Sequence, residues 1–480
     1  MNSGVTTTLD DIFHPQTIAV VGASENPGTF GHHYFRYLKE AGYQGKIYPV
    51  NPQVKYILGE KAFPDLIAIP GSVDYVICCI NASLVIDLLH QCPAKKVKAI
   101  HLFTGRLSET GNLQARKLEE DILRESRQAG VRLIGPNCMG LYNPAQKITF
   151  NYDLPLEPGQ VGAILQSGGI AGEFTRYAAL RGIRFSKVIS YGNALDINEC
   201  DLLEYLSFDP QTKIIVIYIE GVRDGRRFLD LLRQTAATKP VIVLKGGRGK
   251  AGIKAVASHT ASIAGSTNVW DIALRQYGAV QAQSLSELID LTVAFSFLPP
   301  LTSRQVGIIG GGGGKSVLAA DECEEAGLEV IPLPGEIKKI LEKKDPQLAD
   351  WLGNPVDFSI LPGTSVTPIE MLRILAENQQ FDFLLANVTE DNPYDEKLWV
   401  DWVEREISEY FTVAKQKRKP LAITMGNAEL SPRQINNWRW KTLTEQRESL
   451  IKAGIPVYSS ASQAARAISK MIAYYQKNYS

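Results

Sequence analysis

The sequence contains few of the residues that build metal sites or disulfide-bonded folds. Among 480 residues there are six cysteines and six histidines. The cysteines form no CxxC pair and no Cys/His metal-ligand spacing; they are Cys78, Cys79, Cys92, Cys138, Cys200 and Cys323. We therefore expect reduced, structural thiols and no metal site.

The sequence also lacks net charge and long apolar runs. The 51 Lys and Arg residues balance 51 Asp and Glu residues, which argues against a nucleic-acid or membrane-surface partner held by bulk electrostatics. No apolar run is long enough to span a bilayer, and the N-terminal MNSGVTTTLDDIF has neither the basic nor the apolar region of a signal peptide. With 45% hydrophobic and 21% charged residues, the composition predicts a globular, cytoplasmic protein without nucleic-acid or membrane partners.

Three segments of the sequence share one pattern, in which a short apolar run precedes a glycine-containing turn and a helical pattern. Apolar strands that alternate with helices predict parallel sheets covered on both faces. The apolar runs with their turns are 17–28, 161–169 and 305–314, and the helices are expected near 31–41, up to about 180 and up to about 326.

The chain length is typical of two to four domains. Proline-rich joints at 155–158 and 299–300 suit domain boundaries. The sequence therefore predicts an α/β protein of three doubly wound, Rossmann- or flavodoxin-like parallel-sheet domains, at 1–150, 151–299 and 300–480.

The first glycine turn has the features of an anion site. A strand, a tight turn and a helix N-terminus present unpaired N–H groups and the helix dipole to a ligand, and Gly22, Gly28 and Gly31 allow close backbone approach. Their spacing is not the GxGxxG dinucleotide fingerprint, and no carboxylate occurs in Tyr48–Pro52, where a nicotinamide enzyme places one. The pattern therefore disfavours NAD as the ligand. Two interpretations of the turn remain: it binds another phosphorylated ligand, or its glycines serve packing alone.

Two other glycine-rich stretches resemble well-known motifs and fail to match them. Gly310–Gly314 with Lys315 is not a P-loop, because the first glycine of that motif would have to be Ile309. Ser167 is not in a nucleophile elbow, because Leu165 replaces the first glycine of G-x-S-x-G. We expect Ser167 to cap the following helix and, with the next amides, to offer an anion site.

His259 differs from the other five histidines because it lies in a run of small residues, at 257–266. Small neighbours leave room for a charged group, and imidazole suits proton or phosphoryl transfer near neutral pH. The alternative is a histidine that is hydrogen-bonded in a Ser/Thr-rich loop.

Seven stretches, taken in order, carry a family resemblance: Val21–Gly31, Tyr48–Pro52, Ile134–Cys138 with Asn143–Pro144, Ser190–Asp196, Tyr218–Gly225, Ser258–Gly265 and Asn354–Asp357. Together they resemble the nucleoside-diphosphate-forming acyl-CoA synthetases, relatives of succinyl-CoA synthetase, and within them the α subunit of ADP-forming acetate/acyl-CoA ligases.

The resemblance implies a ligase of three domains, with coenzyme A on the first and a phosphorylated histidine on the second. It implies an ATP-grasp module for ADP or ATP with Mg²⁺; none is recognisable in the sequence, so we expect a separate ATP-grasp β subunit in a hetero-oligomer. The implied reaction is acyl-CoA, phosphate and ADP to carboxylic acid, CoA and ATP, reversibly, through an acyl phosphate and phosphohistidine at His259.

The resemblance also assigns roles to individual residues. Glu220 would orient His259, unless it is a strand-end carboxylate facing solvent. The phosphate and acyl group would meet Ser167, Gly168, Gly169, Asn137, Cys138 and Asn193. Coenzyme A would contact Gly22, Ser24, Pro27, Gly28, Gly31 and, at its adenine end, Asn51.

The sequence departs from the family at Gln53, where lysine is common, and Lys55 is the nearest substitute. This departure motivates an alternative of another class, a non-catalytic CoA-binding regulatory protein of the same fold. A third hypothesis, an NAD(P)-dependent dehydrogenase, predicts nicotinamide binding.

Overall fold

The computed structural model describes residues 9–254, 267–388, 390, 394–416, 419–426 and 437–479. The chain divides into two compact units, Met1–Leu288 and Ile289–Ser480. Within the described residues, no helix has the length and apolar character that crossing a membrane requires.

The elements alternate along the chain as the sequence predicts. The strands are β1 (Thr17–Val21), β2 (Lys46–Val50), β3 (Tyr56–Ile57), β4 (Glu60–Lys61), β5 (Tyr75–Cys78), β6 (Ala99–Leu102), β7 (Arg132–Ile134), β8 (Gly140–Tyr142), β9 (Val161–Leu165), β10 (Phe185–Ser190), β11 (Ile214–Ile219), β12 (Val241–Lys245), β13 (Val280–Ala282), β14 (Val306–Gly310), β15 (Phe383–Asn387), β16 (Leu421–Thr424) and β17 (Val457–Tyr458).

The helices are α1 (Phe30–Glu40), α2 (Val85–Lys95), α3 (Leu113–Gln128), α4 (Gly168–Leu180), α5 (Glu199–Phe208), α6 (Gly225–Ala236), α7 (Thr267–Gln276), α8 (Leu285–Phe297), α9 (Gly313–Glu325), α10 (Gly335–Lys344), α11 (Pro346–Trp351), α12 (Pro368–Glu377), α13 (Glu396–Lys415), α14 (Trp438–Lys452) and α15 (Ala461–Tyr479). Short 3₁₀ turns occur at Ala82–Leu84, Ser108–Thr110, Pro144–Gln146 and Phe358–Ile360.

The first sheet of unit Met1–Leu288 has the order β2-β1-β5-β6-β7 and is parallel throughout. Strands β5 and β6 are buried along their whole length, which explains their continuous apolar sequences. The chain leaves β1 for β2 on one side and later reaches β5 on the other side. The carboxyl end of β1 is therefore a topological switch point, the place where such sheets bind ligands.

The second sheet of this unit has the order β13-β12-β11-β9-β10-β8. Its strands are parallel except β8, which pairs antiparallel with β10. Strand β8 comes from the range predicted for the first domain, so that range contributes an edge strand to the second sheet. The switch point of this sheet is the carboxyl end of β9. The boundaries at 150/151 and 299/300 stay predictions.

The sheet of unit Ile289–Ser480 runs β14-β15-β16-β17, all parallel. Parallel bridges from Gln305 to Glu329 and from Ile309 to Val356 occupy the other side of β14, where a further strand would lie. Segments of the chain therefore lie on both sides of β14. The α/β fold class with doubly wound parallel sheets is confirmed.

Asp74 joins the beginnings of two neighbouring strands in the first sheet. Its Oδ2 accepts hydrogen bonds from the backbone N–H groups of Gln16 at 2.9 Å and Thr17 at 3.0 Å, and from the Thr17 hydroxyl at 3.0 Å. Burial opposes ionisation of Asp74, but these hydrogen bonds and the attraction of Lys98 outweigh it and hold the pKa of the carboxyl below its ordinary value.

We expect Asp74→Ala to destabilise the protein by about 1–2 kcal/mol near neutral pH, because two backbone N–H groups, one of them partly buried, lose a charged acceptor. A depressed pKa contributes stability above the carboxyl's unfolded pKa, near 4, and this contribution is lost as pH falls through the folded value. Urea unfolding at pH 7 and pH 3 should therefore show a smaller difference between wild type and variant at pH 3. An equal difference at both values would contradict the prediction.

Candidate active site

The switch point of the second sheet ends in a helix N-terminus. After β9, Ser167 is the N-cap of α4, and its hydroxyl accepts a 3.4 Å hydrogen bond from the Ile170 N–H. The helix begins at Gly168 and Gly169, and first-turn amides of a helix have no acceptor within it. The capping that the sequence predicts for Ser167 is confirmed, and the helix start can receive an anion.

A loop from the first sheet lies against this helix start. Asn137 has a left-handed φ of 58°, and its N–H donates to the Thr104 carbonyl at 2.9 Å. The Asn193 N–H donates to the Pro136 carbonyl at 3.0 Å. A Cβ at Gly192 would lie 2.1 Å from that same carbonyl oxygen, so only glycine permits this approach. The loop that contains Asn137 and the loop that contains Asn193 therefore form one continuous wall beside the start of α4.

Asn193 is oriented by residues that the sequence analysis did not single out. Its Nδ2 donates to Oε2 of Glu109 at 2.9 Å, and Oε1 of Glu109 accepts from the Arg106 N–H at 2.5 Å. The Arg223 guanidinium donates to the Asn193 carbonyl at 3.0 Å. Glu109 is in no motif, and only the folded loop after β6 brings it to Asn193, so no sequence signal was available.

Glu220 follows β11 and is half-buried beside the helix start. Its N–H donates to Oε1 of Gln166 at 2.7 Å, and Oε1 of its carboxylate accepts from the Tyr218 hydroxyl at 3.1 Å. Burial and the adjacent carboxylate raise the pKa of Tyr218, which keeps that hydroxyl a donor. The role of this strand-end carboxylate toward His259 stays a prediction.

Lys245 supports the backbone at the same sheet edge. It ends β12, the strand next to β11, and its ammonium donates to the Glu220 carbonyl at 2.8 Å and to the Gly246 carbonyl. Burial lowers the pKa of Lys245, against the attraction of Glu220. The chain that leaves β12 leads to 255–266, and His259 in that segment lies outside the described residues.

These elements enclose a cavity of about 340 Å³. Glu220 and all of the predicted phosphate- and acyl-binding residues line it: Asn137, Cys138, Ser167, Gly168, Gly169 and Asn193. The residues that the sequence analysis missed are Phe30, Phe103, Met139, Gln166 and Gly192. The chain thus brings a helix N-terminus, three amide side chains and a carboxylate to one space.

Cys138 contributes shape to this cavity. Its thiol is buried, and burial raises the thiol's pKa well above its ordinary value, so a thiolate nucleophile is disfavoured. Below it, Nε2 of His101 lies 3.0 Å from the Cys138 carbonyl. Burial lowers the pKa of His101 to about 4, so this ring is neutral at pH 7 and donates from Nε2.

The predicted coenzyme A residues lie at the other switch point, after β1. A cavity of about 350 Å³ is lined by Gly22, Asn51 and Gln53, among others. The Asn51 amide donates to the Ala23 carbonyl at 2.9 Å, which fixes the strand end against the turn. Lys55 is exposed and does not line this cavity. Gln53, which stands where the family commonly has lysine, does line it.

The turn between Gly22 and α1 contains the candidates Ser24, Pro27 and Gly28, and the remaining candidate, Gly31, is the second residue of α1. Asn26, which sequence reasoning passed over, holds its shape: the Ser24 hydroxyl accepts from the Asn26 N–H at 3.0 Å, and the Asn26 side chain accepts from the Gly28 N–H at 2.9 Å. A Cβ at Gly31 would lie 1.9 Å from the Gly22 carbonyl oxygen. Gly31 therefore serves the contact between helix and turn.

Both switch points lie in ranges that match known protein families. Residues 16–144 match the CoA binding domain family, and residues 158–295 match the succinyl-CoA ligase like flavodoxin domain. The α subunit of acetate–CoA ligase (ADP-forming) I from Pyrococcus furiosus is 32% identical over 471 residues, which cover 97% of each chain. The chain belongs to the ADP-forming acyl-CoA ligase family.

Two further members of this ligase family extend the comparison. Acetate–CoA ligase (ADP-forming) I of Archaeoglobus fulgidus is 35% identical over 384 residues, which cover 79% of this chain and 55% of that protein. The dinucleotide forming acetyl-coenzyme A synthetase 1 of Ca. Korarchaeum cryptofilum, solved in complex with phosphate and ADP, aligns with a TM-score of 0.80 and 26% identity over 98% of both chains. Membership in this family does not support the dehydrogenase hypothesis.

The described histidines of this ligase-family chain already have contacts. His14 pairs with Asp10, His90 with Glu125, and His33 stacks on Tyr37. Nδ1 of His32 lies 2.9 Å from the Ser24 carbonyl, and His101 is buried under Cys138. None of these five lines the cavity at the start of α4.

Proposed function

We propose that the chain is the catalytic α subunit of an ADP-forming acyl-CoA synthetase, an acid–thiol ligase. It would interconvert acyl-CoA, phosphate and ADP with a carboxylic acid, CoA and ATP. The observation that carries this proposal is the convergence of the α4 N-terminus, Asn193 and Glu220 on one cavity beside a CoA-binding domain. The family's ligase role supports it, and no observation favours the non-catalytic regulatory alternative.

The first step needs an anion-binding surface. A phosphate oxygen attacks the thioester carbonyl carbon, the C–S bond breaks, and CoA leaves as the thiol with a proton from phosphate. The product is an acyl phosphate. The amides of Gly168 and Gly169, with the Ser167 hydroxyl, would stabilise the phosphate charge, and Asn193 would hold the acyl oxygen.

The second step needs a neutral imidazole. A ring nitrogen of His259 attacks the phosphorus of the acyl phosphate, the P–O bond to the acyl group breaks, and the carboxylate leaves. Glu220 would accept a hydrogen bond from the other ring nitrogen and stabilise the positive phosphohistidine. ADP then takes the phosphoryl group and His259 is regenerated.

Coenzyme A would lie with its phosphates on Ser24–Gly31 and its adenine end near Asn51. ADP or ATP with Mg²⁺ would bind to an ATP-grasp β subunit in a cytoplasmic hetero-oligomer. The Pyrococcus furiosus relative supports a separate chain for this module, because it is itself a subunit named α and aligns with 97% of this chain.

The proposal is tested by phosphorylating the purified chain with radiolabelled acetyl phosphate. We expect acid-labile, base-stable phosphate on the tryptic peptide 255–275, in which His259 is the only histidine. A chain that binds CoA but incorporates no phosphate, or carries acid-stable phosphate elsewhere, would favour the regulatory alternative. Purification from the source cell should also yield an ATP-grasp partner.

A further inference from the structure

A further cavity lies in the unit Ile289–Ser480, where α12, α13 and the 3₁₀ turn at Phe358–Ile360 line it. Its volume is about 160 Å³. None of its lining residues lines the 340 Å³ cavity at the start of α4, so the proposed reaction does not account for it. A cavity of about 150 Å³ holds one benzene ring, so this one has room for a single six-membered ring with small substituents.

Most of the cavity wall is apolar. Phe358 and Leu372 are buried and line it, and Ile369 joins them from the first turn of α12. The rings of Trp402 and Tyr410 line it from α13. These five side chains suit the faces of an aromatic ring, because the burial of apolar surface is favourable.

Polar side chains of α13 line the cavity as well. Trp402, Glu406 and Glu409 are four and three positions apart, a spacing that places them on one face of the helix. Oε1 of Glu406 accepts a 2.7 Å hydrogen bond from the Tyr410 hydroxyl. Burial and this carboxylate raise the pKa of Tyr410, so its hydroxyl stays a donor to Glu406. Glu406 therefore already has a partner within the protein.

Trp402 and Glu409 each have a buried polar atom that is not satisfied. Among the described residues, neither Nε1 of Trp402 nor Oε2 of Glu409 has a hydrogen-bond partner. Oε2 of Glu409 lies 3.5 Å from the guanidinium of Arg373, an ion pair without hydrogen-bond geometry. Buried polar groups are nearly always hydrogen-bonded in folded proteins, so an unsatisfied donor and an unsatisfied acceptor on residues that line one cavity indicate a ligand.

The two atoms require different partners. The indole N–H of Trp402 needs an acceptor, and the carboxylate oxygen of Glu409 needs a donor. A hydroxyl group can serve at either position, whereas an ammonium group cannot accept from Trp402 and a carboxylate cannot donate to Glu409. An anionic ligand would also meet Glu406 and Glu409, and the cation that lines the cavity, Arg405, is exposed.

The spacing of Trp402 and Glu409 sets the length of the ligand. The two residues are seven positions apart on α13, which corresponds to about 10.5 Å along a helix axis. A ring with hydroxyl groups at opposite ends, together with one hydrogen bond at each end, spans a comparable length. We propose that this cavity binds an uncharged monocyclic aromatic compound with hydroxyl groups, which accepts from Trp402 at one end and donates to Glu409 at the other.

Titration of the full chain with three compounds of similar shape tests this inference. They are p-xylene, 4-methylphenol and 4-hydroxybenzyl alcohol, which carry no, one and two hydroxyl groups. We expect 4-hydroxybenzyl alcohol to bind about tenfold or more tightly than p-xylene, because it satisfies a neutral donor and a charged acceptor. It should also move the indole N–H resonance of Trp402 downfield in a ¹⁵N NMR spectrum, where this resonance is identified by its absence from Trp402→Phe.

Two variants assign the gain in affinity to the two side chains. Trp402→Phe keeps an aromatic ring and loses the N–H, and Glu409→Gln keeps the size of the side chain and loses the charged acceptor. Each should weaken 4-hydroxybenzyl alcohol about three- to tenfold and leave the affinity for p-xylene within about twofold, as measured by saturation-transfer NMR. Trp351→Phe makes the same substitution at a tryptophan that is 77% exposed at the end of α11, and should change neither affinity.

Three outcomes would overturn the inference. If p-xylene binds as tightly as 4-hydroxybenzyl alcohol, the cavity selects for apolar surface alone. If 4-methylbenzylamine binds more tightly than 4-hydroxybenzyl alcohol, the cavity is a cation site. If none of the compounds binds at millimolar concentration, Trp402 and Glu409 are satisfied by water. None of these outcomes affects the labelling of His259, so the proposed function is tested separately.

Discussion

Replacing Glu220 by glutamine is expected to lower the rate of phosphorylation at His259 by about 10²- to 10⁴-fold, the range that a positioned acid–base group contributes. Glutamine keeps the size of the side chain and can still accept the hydrogen bond from the Tyr218 hydroxyl. It loses the negative charge that favours a positive phosphohistidine. The affinity for CoA should stay unchanged, because the predicted CoA turn is in the first sheet.

The measurement is the initial rate of radiolabel incorporation from acetyl phosphate into the folded variant. His259→Ala, which removes the acceptor, provides the background. Glu173→Gln makes the same substitution on an exposed position of α4 and should label as wild type does.

If Glu220→Gln labels at the wild-type rate, the carboxylate does not orient the nucleophile. The variant Tyr218→Phe distinguishes the contribution of the Tyr218 hydroxyl from that of the Glu220 carboxylate. It leaves the charge of Glu220 in place and removes one donor, so we expect a smaller decrease than that of Glu220→Gln. A larger decrease would assign the orienting role to the hydroxyl.

The parallel sheets could be predicted because the pattern that indicates them is local in the sequence. Continuous apolar runs such as Val161–Leu165 are buried on both faces, and each ends in a glycine turn that begins a helix. The predicted helix near 31–41 is Phe30–Glu40, and the one up to about 180 is Gly168–Leu180. Strand β8 was not predicted, since three residues, Gly140–Tyr142, carry no readable alternation and acquire a partner only in the folded chain.

The residues of the candidate site also fall into those that local sequence predicts and those that it does not. Ser167, Asn137 and Asn193 were found because they are parts of recognisable motifs next to strand ends. Gln166, whose side chain fixes the Glu220 backbone, directly precedes Ser167 but has no signature of its own. Phe30 and Phe103 are 73 positions apart, and only the parallel order of β1, β5 and β6 brings them together. Contacts between distant strands cannot be read from local pattern.

Gly31→Ala is expected to weaken CoA binding by about 10- to 100-fold, because a hydrogen bond from a backbone amide to a charged phosphate contributes about 1.5–3 kcal/mol. The added Cβ would lie 1.9 Å from the Gly22 oxygen, 2.7 Å from the Gly22 carbonyl carbon and 3.1 Å from the Ala23 nitrogen. All three atoms belong to backbone, so no side chain can rotate away.

The turn cannot easily move in response. Gly22 has a φ of 88°, its N–H donates to the Val50 carbonyl at 3.0 Å, and a Cβ there would lie 2.7 Å from the Cys79 carbonyl oxygen. The start of α1 must therefore shift away from β1, and the amides that would meet the CoA phosphates shift with it. Isothermal titration with CoA measures the loss, and far-UV circular dichroism should show that the sheets remain folded.

Gly172→Ala is the matched control. Gly172 lies within α4, and a Cβ there meets nothing within 4 Å. Alanine at this position should leave CoA affinity unchanged and stabilise the helix by about 0.5–1 kcal/mol. A folded Gly31→Ala chain with wild-type affinity would show that CoA does not depend on this turn, and the phosphate site would have to be sought away from the end of β1.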